Sequence, residues 1–173
     1  MSAAASPDAH AAGPVELSPA GREKIDAWLA KYPPDQRQSA LIPALTIVQE
    51  ENGGWLSNAH MDAVADYLGV PRVSAYEVGT FYSLFDLHPC GRHKISICTN
   101  ISCMLMGSDD IVRHVERRLG VKLGETTPDG RISLHKEEEC LAACNGGPMM
   151  MVDGHYHEKL TPEKVDEILD GLE

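Results

Sequence analysis

The chain has no apolar stretch long enough to cross a bilayer and nothing that reads as a secretory signal. Those absences point to a reducing compartment, where cysteines are more often metal-bound or reactive than disulfide-bonded. Positive charge is also in short supply: 15 Lys and Arg face 26 Asp and Glu, a net of -11. The acidic excess holds in both halves, with 5 basic against 11 acidic residues up to Cys90 and 10 against 15 after it. Non-specific binding to nucleic acid or to an anionic membrane is disfavoured on that balance. No Gly-x-Gly-x-x-Gly follows a strand pattern and no Gly-x-x-x-x-Gly-Lys occurs, so the chain is not expected to bind NAD by itself. No Ser/His/Asp or Cys/His arrangement stands out as a nucleophile site. Among the 5 cysteines no two have the Cys-x-x-Cys spacing of a dithiol redox motif.

The cysteines that are present fall into two close pairs, Cys98 with Cys103 and Cys140 with Cys144, and Cys90 stands alone between Pro89 and Gly91. A 43% apolar composition is that of a globular protein able to bury a core. Residues 1–16, rich in Ala with Pro and Gly, lack an apolar face and any Arg, so they read as a flexible tail and fit a mitochondrial transit peptide poorly.

Residues 17–88 carry helical patterns. Ser18 and Pro19 suit a helix start, with Ile25, Trp28, Leu29 and Tyr32 at helical spacing before Pro33 and Pro34. Asp35 can cap a second helix bearing Leu41, Leu45, Ile47 and Val48, in which Pro43 predicts a kink. Ser57 opens a third, with Met61, Val64, Ala65 and Leu68 on one face and Gly69 at its end. Ser74 with Glu77 forms a capping box for a fourth helix through Thr80, Phe81 and Tyr82, with Val73 stapled onto Val78. Four short helices with short connections make a small bundle.

From residue 89 to 173 the pattern changes. Ile95 and Ile97 alternate around Ser96 in a strand that runs straight into Cys98. Ile111, Val115 and Leu119 mark a helix closed by Gly120, with Asp109 and Asp110 favourable in its first turn. After the Pro128-Asp129-Gly130 turn, Ile132 and Leu134 alternate in a second strand before the acidic run Glu137 to Glu139 and the Cys140 loop. Met149 to Val152 and His155 to His157 flank Asp153-Gly154, a strong hairpin signal, and Thr161-Pro162 opens a last helix striped with Val165, Ile168, Leu169 and Leu172. The order is that of a thioredoxin-like α/β domain.

A right-handed strand-helix-strand crossover makes the first two strands parallel and brings their carboxyl ends to one edge of the sheet. Both cysteine pairs leave from that edge. A pair with four intervening residues and one with three can each wrap one iron of a binuclear cluster, whereas structural zinc more often uses two-residue gaps. The spacing favours iron-sulfur over zinc and leaves both open. Cys90 reads as a filler or surface thiol. His155 and His157 share one face of a strand beyond both cysteine loops, and the Met149-Met150-Met151 run reads as strand packing. A redox centre on a chain without a substrate site describes an electron carrier with partners.

The segments Ser39-Ala40-Leu41-Ile42-Pro43-Ala44-Leu45, Gly54-Trp55-Leu56, Tyr76-Glu77-Val78-Gly79-Thr80-Phe81-Tyr82, Gly124-Glu125-Thr126-Thr127-Pro128-Asp129-Gly130 and Glu139-Cys140-Leu141-Ala142-Ala143-Cys144 resemble the E subunit of respiratory NADH:quinone oxidoreductase, complex I. The resemblance runs from about Leu17 to the C-terminus. It implies an α/β (α+β) chain, a helical bundle followed by a thioredoxin-like ferredoxin domain holding one [2Fe-2S] cluster on Cys98, Cys103, Cys140 and Cys144, with Cys90 left out. Gly79 and Gly147 stand where Ala is expected, which implies looser packing at both. The resemblance further implies one-electron exchange with FMN, with FMN and NADH carried only by a partner similar to the flavoprotein (F) subunit of that complex. Other complex I subunits, no nucleic acid and no direct membrane insertion complete the picture, a peripheral subunit on the cytoplasmic side of the inner membrane. Closely similar chains serve as small diaphorase subunits of NAD-dependent formate dehydrogenases and NAD-reducing hydrogenases, and a zinc-stapled adaptor is the remote alternative.

Overall fold

The computed structural model describes residues 15–135 and 140–173. Most of the N-terminal tail and the Glu137 to Glu139 run lie outside the described residues. The chain divides at Pro89 and Cys90 into two compact units. No helix among the described residues is long and apolar enough to cross a membrane.

The first unit is all helical: α1 (Pro19–Leu29), α2 (Leu41–Glu51), α3 (Asn58–Leu68) and α4 (Arg72–Phe81). Ser18 caps α1 by accepting from the Gly21 amide at 2.8 Å. The core joins Ile25 of α1, Ala44, Leu45 and Val48 of α2, Met61, Val64, Ala65 and Leu68 of α3, and Ala75 of α4, all buried, with Leu56 and Phe85 closing it. Gly69 ends α3 in the left-handed region at φ 67°. The Arg37 side chain closes that end, donating to the carbonyls of Leu68 (2.8 Å) and Tyr67 (3.2 Å), which would otherwise lack partners.

Five expectations need correction in this unit. Asp35 does not cap the second helix: a short 3-10 turn over Arg37–Ala40 feeds α2, whose N-cap is Ala40. Pro43 consequently falls in the first turn of α2, where a missing N–H costs nothing and no kink follows. Nor does Ser74 form a capping box. Extended Pro71 (φ -58°, ψ 136°) starts α4 earlier, Ser74 lies inside the first turn, and Val73 is 59% exposed rather than stapled. The earlier start lets Arg72 pair with Asp62 at 3.1 Å and Asp66 at 2.7 Å on α3. At Gly79 the packing is close rather than loose: an added Cβ would stand 2.7 Å from the Met61 sulfur.

At the start of α3, Ser57 Oγ accepts from the His60 amide and the Ser57 amide donates to His60 Nδ1 at 3.1 Å, a reciprocal cap. Burial lowers the His60 pKa below its ordinary value. Because the folded state favours the neutral ring, this contribution is complete above histidine's ordinary pKa and is lost as pH falls through the lowered one. His60→Gln keeps a reciprocal cap that cannot titrate, so its stability relative to the wild type should rise on acidification. Ser57→Ala should cost about 1 kcal/mol at neutral pH. Urea titrations followed by tryptophan fluorescence measure both, since Trp28 and Trp55 lie in this unit and the chain has no others.

The second unit runs β1 (His93–Ile97), α5 (Ile101–Leu105), α6 (Ser108–Leu119), β2 (Ile132–Leu134), β3 (Met150–Val152), β4 (His155–His157) and α7 (Pro162–Asp170). The sheet order is β2-β1-β3-β4. As the crossover rule requires, β1 and β2 are parallel, with Ile95 level with Leu134, while β3 lies antiparallel on the other side of β1 with Val152 opposite Ile95. Asp153 (φ 49°) and Gly154 (φ 82°) make the turn between β3 and β4, both in the left-handed conformation that a two-residue hairpin demands. Ile95, Ile97, Ile132, Leu134, Met150 and Val152 form the core with Ile111 and Val115 of α6 and Val165 and Leu169 of α7. Helix α5, which carries Cys103, has no counterpart among the elements read from the sequence.

Candidate metal centre

Strand β1 delivers Cys98 directly to the edge of the sheet. Its amide donates to the Met149 carbonyl at 3.1 Å, so the ladder with the β3 segment continues to the cysteine itself. Asn100 then starts α5, its side chain accepting from the Ile101 amide at 2.9 Å, and this turn folds Cys103 back. Cys98 and Cys103 are each only 2% exposed and pack with Leu141 and Met149, which is fully buried, in a small apolar cluster separate from the main core. The alternation of β3 explains the methionine run: Met150 faces the main core, and Met149 faces the cysteines.

Cys140 and Cys144 are exposed. Between them Ala142 adopts φ 60°, unusual for a residue with a Cβ, and this aims its amide at Cys140 Sγ, 3.3 Å away. Cys144 begins a 3-10 turn over Cys144–Gly146. The next residue, Gly147, leaves a space that a Cβ would fill, 3.3 Å from Cys103 Sγ and 3.0 Å from the Met106 sulfur. The expected looseness at this glycine is therefore replaced by close approach of backbone to thiol. Ala142→Gly should relieve the left-handed strain and stabilise the second unit by roughly 1 kcal/mol, measured as a higher unfolding temperature with cluster content unchanged.

Burial pushes the Cys103 thiol up to about 11, helped by a hydrogen bond with Cys98 and by the charges of Cys98 and Cys144, while the Met149 amide works against the rise. A metal bound here must displace that proton, so loading should release acid. Cys98 and Cys144 thus both act on Cys103. Among the described residues, no three His, Cys, Asp or Glu side chains are grouped as the ligands of a single metal ion. A structural zinc takes four ligands at one ion, whereas a binuclear iron-sulfur cluster takes two thiolates at each iron. All-thiol donors, two of them in a dry apolar pocket, and an amide aimed at a sulfur suit iron-sulfur ligation. Cys90 is half-buried and precedes β1, whereas Cys98 follows it. The five-residue strand between them spans roughly 16 Å.

Residues 25–173 match the family described as thioredoxin-like [2Fe-2S] ferredoxin. The chain belongs to that family. The NADH-quinone oxidoreductase E subunit of Rickettsia conorii is 44% identical over 145 residues, covering 84% of this chain and 86% of the relative. The NADH-quinone oxidoreductase E 2 subunit of Rhizobium meliloti is 46% identical over 151 residues, 87% of this chain and 88% of the relative. The mitochondrial NADH dehydrogenase [ubiquinone] flavoprotein 2 of Dictyostelium discoideum is 41% identical over 159 residues, 92% of this chain and 64% of the relative. Among solved structures, an NAD+-reducing [NiFe]-hydrogenase in the air-oxidized state matches with TM-score 0.61 at 16% identity, over 78% of this chain and 23% of that one. That likeness concerns the fold alone.

Proposed function

We propose that this chain is the electron-carrying [2Fe-2S] subunit of an NADH-quinone oxidoreductase, with Cys98, Cys103, Cys140 and Cys144 as its cluster ligands. The observation that carries the reading is the 46% identity to an E subunit over 87% of this chain, joined to two cysteine pairs at one end of a thioredoxin-like sheet. When bound, the cluster supplies a one-electron acceptor and donor. The protein's own contribution is to hold four thiolates, to keep Cys98 and Cys103 dry, and to leave Cys140 and Cys144 at the surface. The exposed pair puts the site within reach of a partner.

The chain carries neither the Gly-x-Gly-x-x-Gly nor the Gly-x-x-x-x-Gly-Lys nucleotide motif. Its electron partner in this reading is a flavoprotein subunit holding FMN and NADH, and the pair sits with further complex I subunits on the cytoplasmic side of the inner membrane. Identity to E subunits favours this assembly over a soluble diaphorase in a formate dehydrogenase or hydrogenase, for which only the shared fold speaks. Purified chain should be red-brown, bleach with dithionite and hold about two irons and two sulfides. Colourless protein with one zinc overturns the reading. Co-purification with a flavoprotein that oxidises NADH, and loss of one-electron transfer to this chain when Cys140 is changed to Ser, test the partner.

A further inference from the structure

At the opposite end of β1 from the cysteines, basic side chains hold the segment that follows α7. His93 Nε2 lies 2.9 Å from the Glu173 main-chain oxygen, and His93 Nδ1 lies 2.7 Å from Asp153 Oδ2 in the β3–β4 turn. Arg92 Nε reaches the same Glu173 oxygen at 3.4 Å, and Arg131 Nη1 donates to the Leu172 carbonyl at 2.8 Å. Asp153 is itself fixed. Its Oδ1 accepts from the Lys94 amide at 2.8 Å, and its own amide donates to the Lys94 carbonyl at 3.0 Å.

Both oxygens facing His93 are acceptors with no hydrogen to give. A neutral imidazole has one N–H and one lone pair, so either tautomer would set a bare nitrogen against an oxygen at hydrogen-bond distance. Only the imidazolium donates to both. We propose that His93 is a pH-sensitive latch, tying the segment after α7 to the β3–β4 turn as the cation and releasing the Glu173 main-chain oxygen on losing a proton. The bond to Asp153 survives deprotonation because the Lys94 main chain pins that residue from both sides, whereas Glu173 is exposed beyond the end of α7 and can turn away.

The surrounding charges fix the direction. Asp153 raises the His93 pKa through its hydrogen bond, burial opposes this, the Glu173 main-chain oxygen adds to the rise, and the Arg92 charge works against it. A raised folded pKa means that the latch is complete below histidine's ordinary pKa and is lost as pH rises through the folded value. Arg92 and Lys94 are the basic neighbours of His93 along β1, and the Arg131 guanidinium, just ahead of β2, donates to the Leu172 carbonyl independently of the imidazole. Leu172 therefore stays tethered by Arg131, and the release is confined to Glu173.

Nuclear magnetic resonance on the full chain tests this between about pH 5 and pH 9. The His93 ring should titrate above those of His60 and His157, which burial lowers. The Glu173 amide should shift with the same midpoint and gain mobility above it. In His93→Gln that amide should be mobile at every pH while the α7 amides stay ordered, and in Asp153→Asn the His93 midpoint should fall. A His93 ring that titrates at or below histidine's ordinary value, or a Glu173 amide indifferent to that titration, overturns the proposal.

Discussion

Changing Cys140 to Ser is expected to take the iron content from about two per chain to near zero and to remove the visible absorption and the paramagnetic signal of the reduced state. A serine hydroxyl is a harder, far less acidic donor than a thiol and is a poor ligand for iron held between sulfides. Cys140 is exposed, so its replacement should leave the apo fold intact, with tryptophan emission and circular dichroism unchanged. That separates loss of a ligand from loss of structure. Cys98→Ser should abolish the same signals but also unsettle the apolar cluster with Met149 and Leu141, since it places a smaller, more polar atom in a site 2% exposed. Cys90→Ser should retain both irons and the colour. If Cys140→Ser kept two irons, or Cys90→Ser lost them, the ligand set would be wrong.

Ile95→Ala should be the most damaging substitution outside the cysteines. Ile95 is fully buried on the central strand, level with Leu134 on one neighbour and Val152 on the other. Removing its branched chain leaves a cavity where sheet, α6 and α7 meet, at a cost of about 2–5 kcal/mol. Set against a typical total of about 5–15 kcal/mol, that takes a large share of the unit's stability. The expected reading is a fall of about 10 °C or more in the thermal transition of the second unit by circular dichroism. Tryptophan emission, confined to the first unit, serves as the internal control, and a fall under about 3 °C would show that the site collapses around the loss.

Elements with local punctuation could be read from the sequence. Ser57 and Gly69 bracket α3, Gly120 ends α6, and Asp153-Gly154 forces the hairpin, each through the conformational preference of one or two residues. Ser74 misled because a capping box is a short pattern that several positions can offer, and the ion pairs of Arg72 with α3 decided between them. Helix α5 gave no signal: it has five residues, and Ile101 and Leu105 are 67% and 78% exposed, so there was no buried stripe to detect. At the site, pairing and chain order pointed to the four cysteines. The left-handed Ala142 and the inward turn of Met149 depend on tertiary packing that no spacing rule encodes.

The central place of β1 also orders events in time. Its parallel partner β2 and its antiparallel partner β3 both lie dozens of residues further along the chain. Pairings so distant close large loops and come late in folding. During synthesis, Cys98 and Cys103 emerge well before the strand whose segment supplies Met149 and the loop that bears Cys144. The dry side of the cysteine pocket can form only after nearly all of the second unit has been made. Iron would then be taken up only after the β3 segment has been made and paired, so a truncation that removes β3 should leave a chain unable to take up metal even though Cys98, Cys103, Cys140 and Cys144 are all present.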